Sequence, residues 1–379
     1  MRRTPLSAAA RRDTNAAMNA TDDSPESDDD KRQGRRVNSM PPGVLAERIA
    51  EVLSVLAAAQ AEAERAGPGA APRLLVAYRE RFRIAMQAFG DALADALEAT
   101  PGVFAPDSPD NPLTPLLERT RDLPLFRRAQ QSIKNDEDDR GLQRVLVVGR
   151  GAGFDLPSLL LEDYYQDTVL VRTFRRRVAS MGEMLRDEVC RRVAEGQKEV
   201  RLLNLRCGGL LELEPLLEHS VCAAHSAITC VDDSTTALRL ARQSVARRLA
   251  LQPRFVRADP LTLGENPNRP REPFDFVLTF SLFDLLPPTT ALRLARNCSA
   301  LLKPGGALIT TGYLPAVPRG EKALALGLLG AQVNYWGEED WQRLLSNASF
   351  ASESIQFDRR APAAITLLAL RAEKTTAKS

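Results

Sequence analysis

An apolar run ends in Leu203-Asn204-Leu205-Arg206-Cys207-Gly208-Gly209, a turn with two adjacent glycines. Glycines at such a turn let the main chain bend sharply and approach a ligand with no side chain in the way. A carboxylate, Asp232, closes a second apolar run, Thr229-Cys230-Val231. It lies about 20 residues past the glycines, the usual interval for an acidic group that accepts hydrogen bonds from ribose hydroxyls. Turn and carboxylate are the two devices by which a strand–helix sheet holds an adenosyl group. Asp232 also has a plainer reading. It precedes the helical Ala237-Leu238-Arg239-Leu240-Ala241, and a surface carboxylate at a helix start favours the dipole.

The elements that must position these groups come from the pattern around them. From about Val200 short apolar runs alternate with amphipathic helices. Val200 to Leu205, Ala227 to Val231, Arg254 to Ala258, Phe276 to Phe280 and Ala307 to Thr311 are candidate strands, and Pro362 to Leu370 is a further one. The alternation predicts an α/β fold with a doubly wound, mostly parallel sheet, which binds ligands at the carboxyl ends of its strands. Phe274 to Pro315 is the clearest βαβ unit, with Lys303-Pro304-Gly305-Gly306 as a turn before its second strand.

This stretch resembles the class I methyltransferases that use S-adenosylmethionine. The resemblance rests on Phe274-Asp275-Phe276-Val277 at the start of the fourth strand and Leu302-Lys303-Pro304-Gly305-Gly306 before the fifth. It covers roughly 199 to 372 and implies a seven-stranded Rossmann-like sheet whose final hairpin is reversed. It also implies S-adenosylmethionine as cofactor, held by Arg206, Gly208, Gly209, Asp232, Asp259, Ser281, Leu282 and Phe283. In that frame Asp259, ending Phe255-Val256-Arg257-Ala258, would accept from the adenine amino group; it reads equally as a loop residue ahead of Pro260. Ser281-Leu282-Phe283 would line the pocket. Asp275 precedes its strand and reads as structural or solvent-facing. Arg206 stands where the family usually has its first glycine. Its guanidinium either holds the methionine carboxylate or fills the pocket.

A narrower resemblance is to the bacterial group that includes the extracellular-factor 3-hydroxypalmitic acid methyl ester biosynthesis proteins. Its carriers are Leu282-Phe283-Asp284-Leu285-Leu286, Gly312-Tyr313-Leu314-Pro315-Ala316-Val317-Pro318-Arg319, and Asn334-Tyr335-Trp336-Gly337-Glu338-Glu339-Asp340-Trp341. The helix with Arg175-Arg176-Arg177 resembles that group's arginine-rich helix. Upstream, Arg150-Gly151-Ala152-Gly153-Phe154-Asp155 is the nearest match to its leading motif, without the Lys-Pro and the Tyr. Read from the residues alone, Val145 to Val148 is a candidate strand and Arg150 to Gly153 a weak phosphate-loop mimic. A lid over the cofactor fits 145–198 better, with Tyr164-Tyr165 packed against the sheet.

The rest of the chain bounds these readings. At 379 residues it can hold two domains. A net charge of +2 gives no nucleic-acid signal. No apolar run reaches membrane-span length, and the start, MRRTPLSAAARR, lacks a secretory apolar core. A cytoplasmic location follows as the expectation. The five cysteines show no close pairing and read as small buried hydrophobes in a reducing compartment. No metal site is expected, since neither His219 nor His225 shows ligand spacing to the other or to a cysteine. Residues 1–40 are polar and read as a disordered tail. An α-helical region spans 41–144. Its first helix carries Val44, Ile49, Val52, Leu53 and Leu56, and Gly67-Pro68-Gly69 ends it. A second carries Leu74, Leu75, Tyr78, Phe82, Met86, Phe89 and Leu93. A helical hairpin is the plain reading; a homodimer through these helices is the alternative. A loop at 101–115 and a helix from Leu116 to about Ile133, broken by Pro124, complete the region. The lid-like segment takes 145–198 and the methyltransferase domain 199–379.

Transfer of a methyl group from a sulfonium is an in-line displacement, in which the protein aligns the nucleophile and excludes water. A carboxylate acceptor is ionised at neutral pH and needs no base. No histidine stands in an acceptor position, and Tyr335 is among the few other bases. The chemistry leans to a small-molecule or fatty-acid-like carboxylate, with Arg150 or Arg319 as its counter-charge. The competing reading is a degenerate methyltransferase fold that serves as a binding or regulatory module.

Overall fold

A computed structural model describes residues 43–67, 69–104, 108, 110–120, 155–245, 252–263 and 272–372. The expected tail at 1–40, the Val145–Val148 strand, the Arg150–Gly153 turn and the helix beyond Thr120 lie outside the described residues.

Helices α1 (Gly43–Ala66) and α2 (Ala71–Ala99) form the predicted hairpin. Gly67 and Gly69 turn the chain between them with φ of 78° and 93°, values that a side chain would strain. The expected stripe on α2 is buried, with Phe82, Met86, Phe89 and Leu93 at 1 % exposure or less. Each such side chain contributes roughly 1.5–3 kcal/mol. Helices α3 (Thr114–Thr120), α4 (Leu156–Asp167) and α5 (Val169–Ala194) follow. Asp155 accepts from Ser158 N (2.8 Å) to start α4. Tyr164 of α4 meets Phe82 of α2 edge-on, centroids 6.2 Å apart. Tyr164-Tyr165 were expected to pack against the sheet; Tyr164 instead meets α2, and its neighbour Tyr165 is buried with the two rings edge-on at 5.6 Å.

The sheet then assembles from β1 (Val200–Leu205), β2 (Ser226–Asp232), β3 (Arg254–Arg257), β4 (Phe274–Thr279), β5 (Leu302–Tyr313), β6 (Gln356–Asp358) and β7 (Ala364–Leu370). Its order is β3-β2-β1-β4-β5-β7-β6. The first five strands are parallel, and β7 runs antiparallel to β5, as the reversed hairpin requires. β6 is short and exposed in part, which hid it from the sequence pattern. Connecting helices are α6 (Glu214–Glu218), α7 (Ser220–Ala224), α8 (Thr235–Val245), α9 (Pro288–Leu301), α10 (Arg319–Leu329) and α11 (Glu338–Ser346). The Lys303-Pro304-Gly305-Gly306 turn is taken into β5 rather than preceding it. Gly305 bends there with φ 70° at a register shift against Phe274 and Phe276, so the strand is longer than its apolar run.

Helix α5 packs along the sheet and carries a mixed inner face. Val171, Phe174, Val178, Met181, Leu185 and Val189 are buried, and so are Thr173, Arg177 and Ser180. Its start is held from α10, where the Glu321 carboxylate accepts from Val169 N (3.0 Å) and Leu170 N (2.9 Å). α10 in turn packs on α2 at a close crossing. A Cβ on Gly90 would lie 3.0 Å from Gly320 O.

Candidate cofactor site

The turns after β1 and β4 are neighbours, because Leu205 pairs with Thr279 across the ladder. β2 flanks β1 on the other side, with Leu205 opposite Val231. The register therefore brings Arg206, Gly208, Asp232 and Ser281 to one carboxyl edge. Arg206 and Gly208 take φ of 53° and 49°. The left-handed region costs an L-residue about 1–2 kcal/mol, so the arginine bears a strain that the usual glycine would not. Gly208 N donates to Asp232 Oδ2 (3.4 Å), and Ser234 N donates to Oδ1 (3.0 Å). The carboxylate thus lies between the glycine turn and the start of α8, which unites its two sequence readings. It is 0 % exposed. A ribose reaches it only when the atoms covering it move aside. Gly209 is open: a Cβ built there meets nothing nearer than Leu211 Cγ at 3.8 Å. The open face at Gly209 has room for an adenosyl group against a main-chain turn.

The other stations divide. Ser281 closes β4 in the left-handed region, φ 54°, beside the Arg206 turn. Leu282 and Phe283 are buried instead, and the Phe283 ring meets Trp341 edge-on at 5.2 Å. Their side chains belong to the core. Asp259 is exposed, and its Oδ1 accepts from Leu261 N (2.8 Å). It shapes its own loop ahead of Pro260.

Of two further charged groups at this edge, Glu212 escaped the sequence reading and Arg177 entered it only within the arginine-rich helix. Glu212 is buried beneath the glycine turn and accepts from Asn204 Nδ2 (2.5 Å). Burial pushes its carboxyl up to about 7, against the opposing Asn204 hydrogen bond. Arg177 of α5 is fully buried and pairs with Asp284 Oδ2 (2.5 Å) and Thr311 Oγ1 (2.7 Å). Its Nε and Nη1 meet no acceptor among the described residues. The guanidinium lies over the Tyr313 ring at 4.1 Å. Burial raises the Asp284 carboxyl despite Arg177 beside it. Around this pair the three segments of the narrower resemblance converge. Asn334 N donates to Asp284 O (2.7 Å), Asn334 Nδ2 to Leu286 O (2.7 Å), and Trp336 N to Tyr313 O (2.8 Å).

A cleft of about 430 Å³ lies between α2, α4 and α10, and its lining includes none of Arg206, Gly208, Asp232, Ser281, Arg177 and Asp284. Arg79, Tyr164, Asp167, Arg172, Pro318 and Glu321 are among its lining residues. Arg319 lies outside that lining and pairs with Asp95 and Glu98 of α2. Asp275 sits at the opposite edge of the sheet, buried and structural, held by Arg192 (3.3 Å), Lys303 (2.8 Å) and Arg201 N (2.8 Å).

The cysteine expectation needs correction. Cys207, Cys230 and Cys298 are free and buried, but Cys190 and Cys222 form a disulfide. The two are 32 residues apart, so no local spacing announced the bond. His219 also joins Cys190 and Cys222 in one cluster, contrary to the expectation that no histidine has ligand spacing to a cysteine.

Among solved structures, the chain is similar to a possible exported protein from Bordetella parapertussis. The identity is 20 %, over 88 % of this chain and 100 % of that one, with a TM-score of 0.49. It is also similar to magnesium protoporphyrin IX methyltransferase (ChlM) from Synechocystis PCC 6803 with bound SAH. There the identity is 18 %, over 61 % of this chain and 93 % of that one, with a TM-score of 0.41. For N-methyltransferase NodS from Bradyrhizobium japonicum the identity is 16 %, over 51 % and 98 %, with a TM-score of 0.34. No curated protein matches the chain. Residues 203–308 match the family described as a methyltransferase domain, a span that takes in the glycine turn, Asp232 and the Ser281 turn. Residues 203–308 are therefore similar to a methyltransferase domain, and that span holds the site described above.

Proposed function

We propose that this domain methylates a small molecule whose reacting group is a carboxylate, as on a fatty acid. The observation that carries the reading is that no exposed base stands at the carboxyl edge among the described residues: Glu212, though pushed up to about 7, is buried against Asn204. Burial raises the Tyr313 hydroxyl to about 12 and pushes Tyr335 well above its ordinary value. Asp284 is enclosed in its ion pair. His225 contacts Lys198 O before the first strand, at the opposite edge. An acceptor that arrives ionised needs none of these groups. The cleft bordered by Arg172 and Tyr164 is the entry we assign to it, and the convergence of three motif segments around Asp284 supports the narrower bacterial group.

S-adenosylmethionine supplies an activated methyl. The chain's part is to seat the adenosyl group against Gly209, to offer Asp232 to the ribose hydroxyls, and to hold the acceptor in line. Calorimetric titration tests the first step. Wild type should bind S-adenosylmethionine, and Asp232→Ala should weaken binding by about 1.5–3 kcal/mol. Radiolabelled methyl transfer to a long-chain fatty acid tests the second. No cofactor binding by wild type would remove the enzyme reading.

One observation favours a binding module instead. Arg206 occupies the strained turn where a glycine would leave room, and Asp232 beneath it is fully covered. Titrating Arg206→Gly beside wild type separates the readings. Weaker binding means that the guanidinium holds the ligand; tighter binding means that it obstructs, which supports the module.

A further inference from the structure

Helix α5 ends at Ala194, and its last turns face α6 and α7, the two short helices between the glycine turn and β2. Cys190 projects from α5. His219 and Cys222 lie three residues apart at the α6–α7 junction. The three candidate ligand atoms all fall within 4.8 Å of one another. Cys190 and Cys222 are bonded, with their Cα atoms 5.4 Å apart. A disulfide needs only the two cysteines. The imidazole is the additional element. His219 caps α7, its Nδ1 accepting from Cys222 N (3.4 Å), so the ring is aimed at the same turn as the sulfur. Cys222 is buried, Cys190 partly so, and His219 exposed, which leaves one side open to solvent.

We infer that the reduced form of this cluster is a binding site for a thiophilic divalent cation of the zinc class, with a water in the fourth position. A tetrahedral ion with metal–sulfur bonds of about 2.3 Å and a metal–nitrogen bond of about 2.0 Å requires ligand atoms roughly 3.5–3.8 Å apart. The ligand atoms lie within 4.8 Å of one another, so the two sulfurs have to part and the His219 ring has to release its hydrogen bond from Cys222 N to turn a lone pair to the ion. A dithiol reductant supplies the two electrons and two protons that convert the disulfide into two thiols, and is itself oxidised to a disulfide. The cation then takes the two sulfurs as thiolates and releases two protons. Either state, bond or metal, joins α5 to the α6–α7 turn. The site lies at the edge where β1 begins, with Val200 N donating to His225 O (2.8 Å), away from the cofactor turn. Its role is therefore to fasten the fold, and it is independent of the methyl-transfer reading.

The test is cobalt(II) titration of the full chain after reduction and anaerobic removal of reductant. Wild type should develop thiolate-to-cobalt charge transfer and tetrahedral ligand-field bands, both erased by zinc. The oxidised chain should show neither. Cys190→Ser and Cys222→Ser should lose the charge transfer. His219→Ala, a change at an exposed side chain, should weaken cobalt binding at least tenfold while its circular dichroism stays native. Cys298→Ser should leave the bands intact. Absence of charge transfer in reduced wild type would overturn the inference. So would its persistence in Cys222→Ser, or unchanged affinity in His219→Ala.

Discussion

Two carboxylates are buried at opposite edges of the same sheet, and their surroundings differ in kind. Asp275, where β4 begins, is met by Arg192, Lys303 and the Arg201 amide. Burial alone would raise its carboxyl, yet these hydrogen bonds outweigh burial and hold it below the usual range. Asp284, where β4 has ended, has the single guanidinium of Arg177 and the Tyr313 amide (3.2 Å). There burial wins and the carboxyl is raised. Glu212, at the same edge, is raised as well. At the edge where strands begin, the donors around the carboxyl outweigh its burial, although Arg192 Nε is left without a partner among the described residues. The edge that faces the cofactor turn retains unpaired donors on Arg177 and raised acids. Sheets of this topology bind ligands at that second edge, and buried acids that their partners do not fully compensate are what a site costs the fold.

The contrast makes graded predictions. Arg177→Ala should be the most damaging, because it leaves Asp284 buried without its counter-charge. A loss of about 3–5 kcal/mol is expected in urea denaturation. A smaller loss than the Lys303→Ala change gives would invert the comparison.

The second prediction concerns pH. Glu212 binds a proton more tightly folded, at about 7, than unfolded, at about 4.3. Between those values the folded chain holds more protons, so this contribution to stability is full below the window and falls as pH rises through it. The change is of the order of 3 kcal/mol. Glu212→Gln should flatten that slope when stability is measured across the window. Asp275 has the opposite sign: its contribution is present above the ordinary carboxylate range and lost as pH falls. A wild-type curve identical in shape to that of Glu212→Gln would remove the raised acid from the account.

Arg206→Gly should relieve left-handed strain and raise stability by up to about 1 kcal/mol, read as a higher midpoint in thermal melting. A lower midpoint would mean that the guanidinium's own contacts outweigh the strain. Lys303→Ala should matter least. The lysine is 34 % exposed and Asp275 keeps two other donors, so the cost should stay below about 1 kcal/mol.

Much of the scaffold was legible in the chain. Parallel strands buried on both faces read as continuous apolar runs, and glycines punctuate them. The adjacency of the Gly208 turn and Asp232 was legible because parallel pairing of β1 with β2 brings the ends of both strands to one edge, where Gly208 N donates to Asp232. Arg177 was not found as a core residue. Arg175-Arg176-Arg177 were singled out as an arginine-rich helix, but the helical repeat cannot say which of them turns inward beside Thr173 and Ser180. Glu212 lacked a signal because its burial depends on Gly182 of α5 coming close; a Cβ there would lie 2.7 Å from Glu212 O. The Cys190–Cys222 bond depends on the same docking. Contacts that exist only after two distant helices meet leave no periodic trace.

The close crossing of Gly90 on α2 with Gly320 on α10 has a consequence for biosynthesis. The hairpin emerges early from the ribosome, while its glycine-lined partner comes from the far end of the chain. Until α10 is made, the face of α2 that includes Phe89 and Leu93 has no permanent cover, and the ordering of long-range contacts sets the pace of completion. Nascent chains arrested before Arg319 should therefore be the aggregation-prone species. Chaperone demand should fall sharply once the α10 segment clears the exit tunnel.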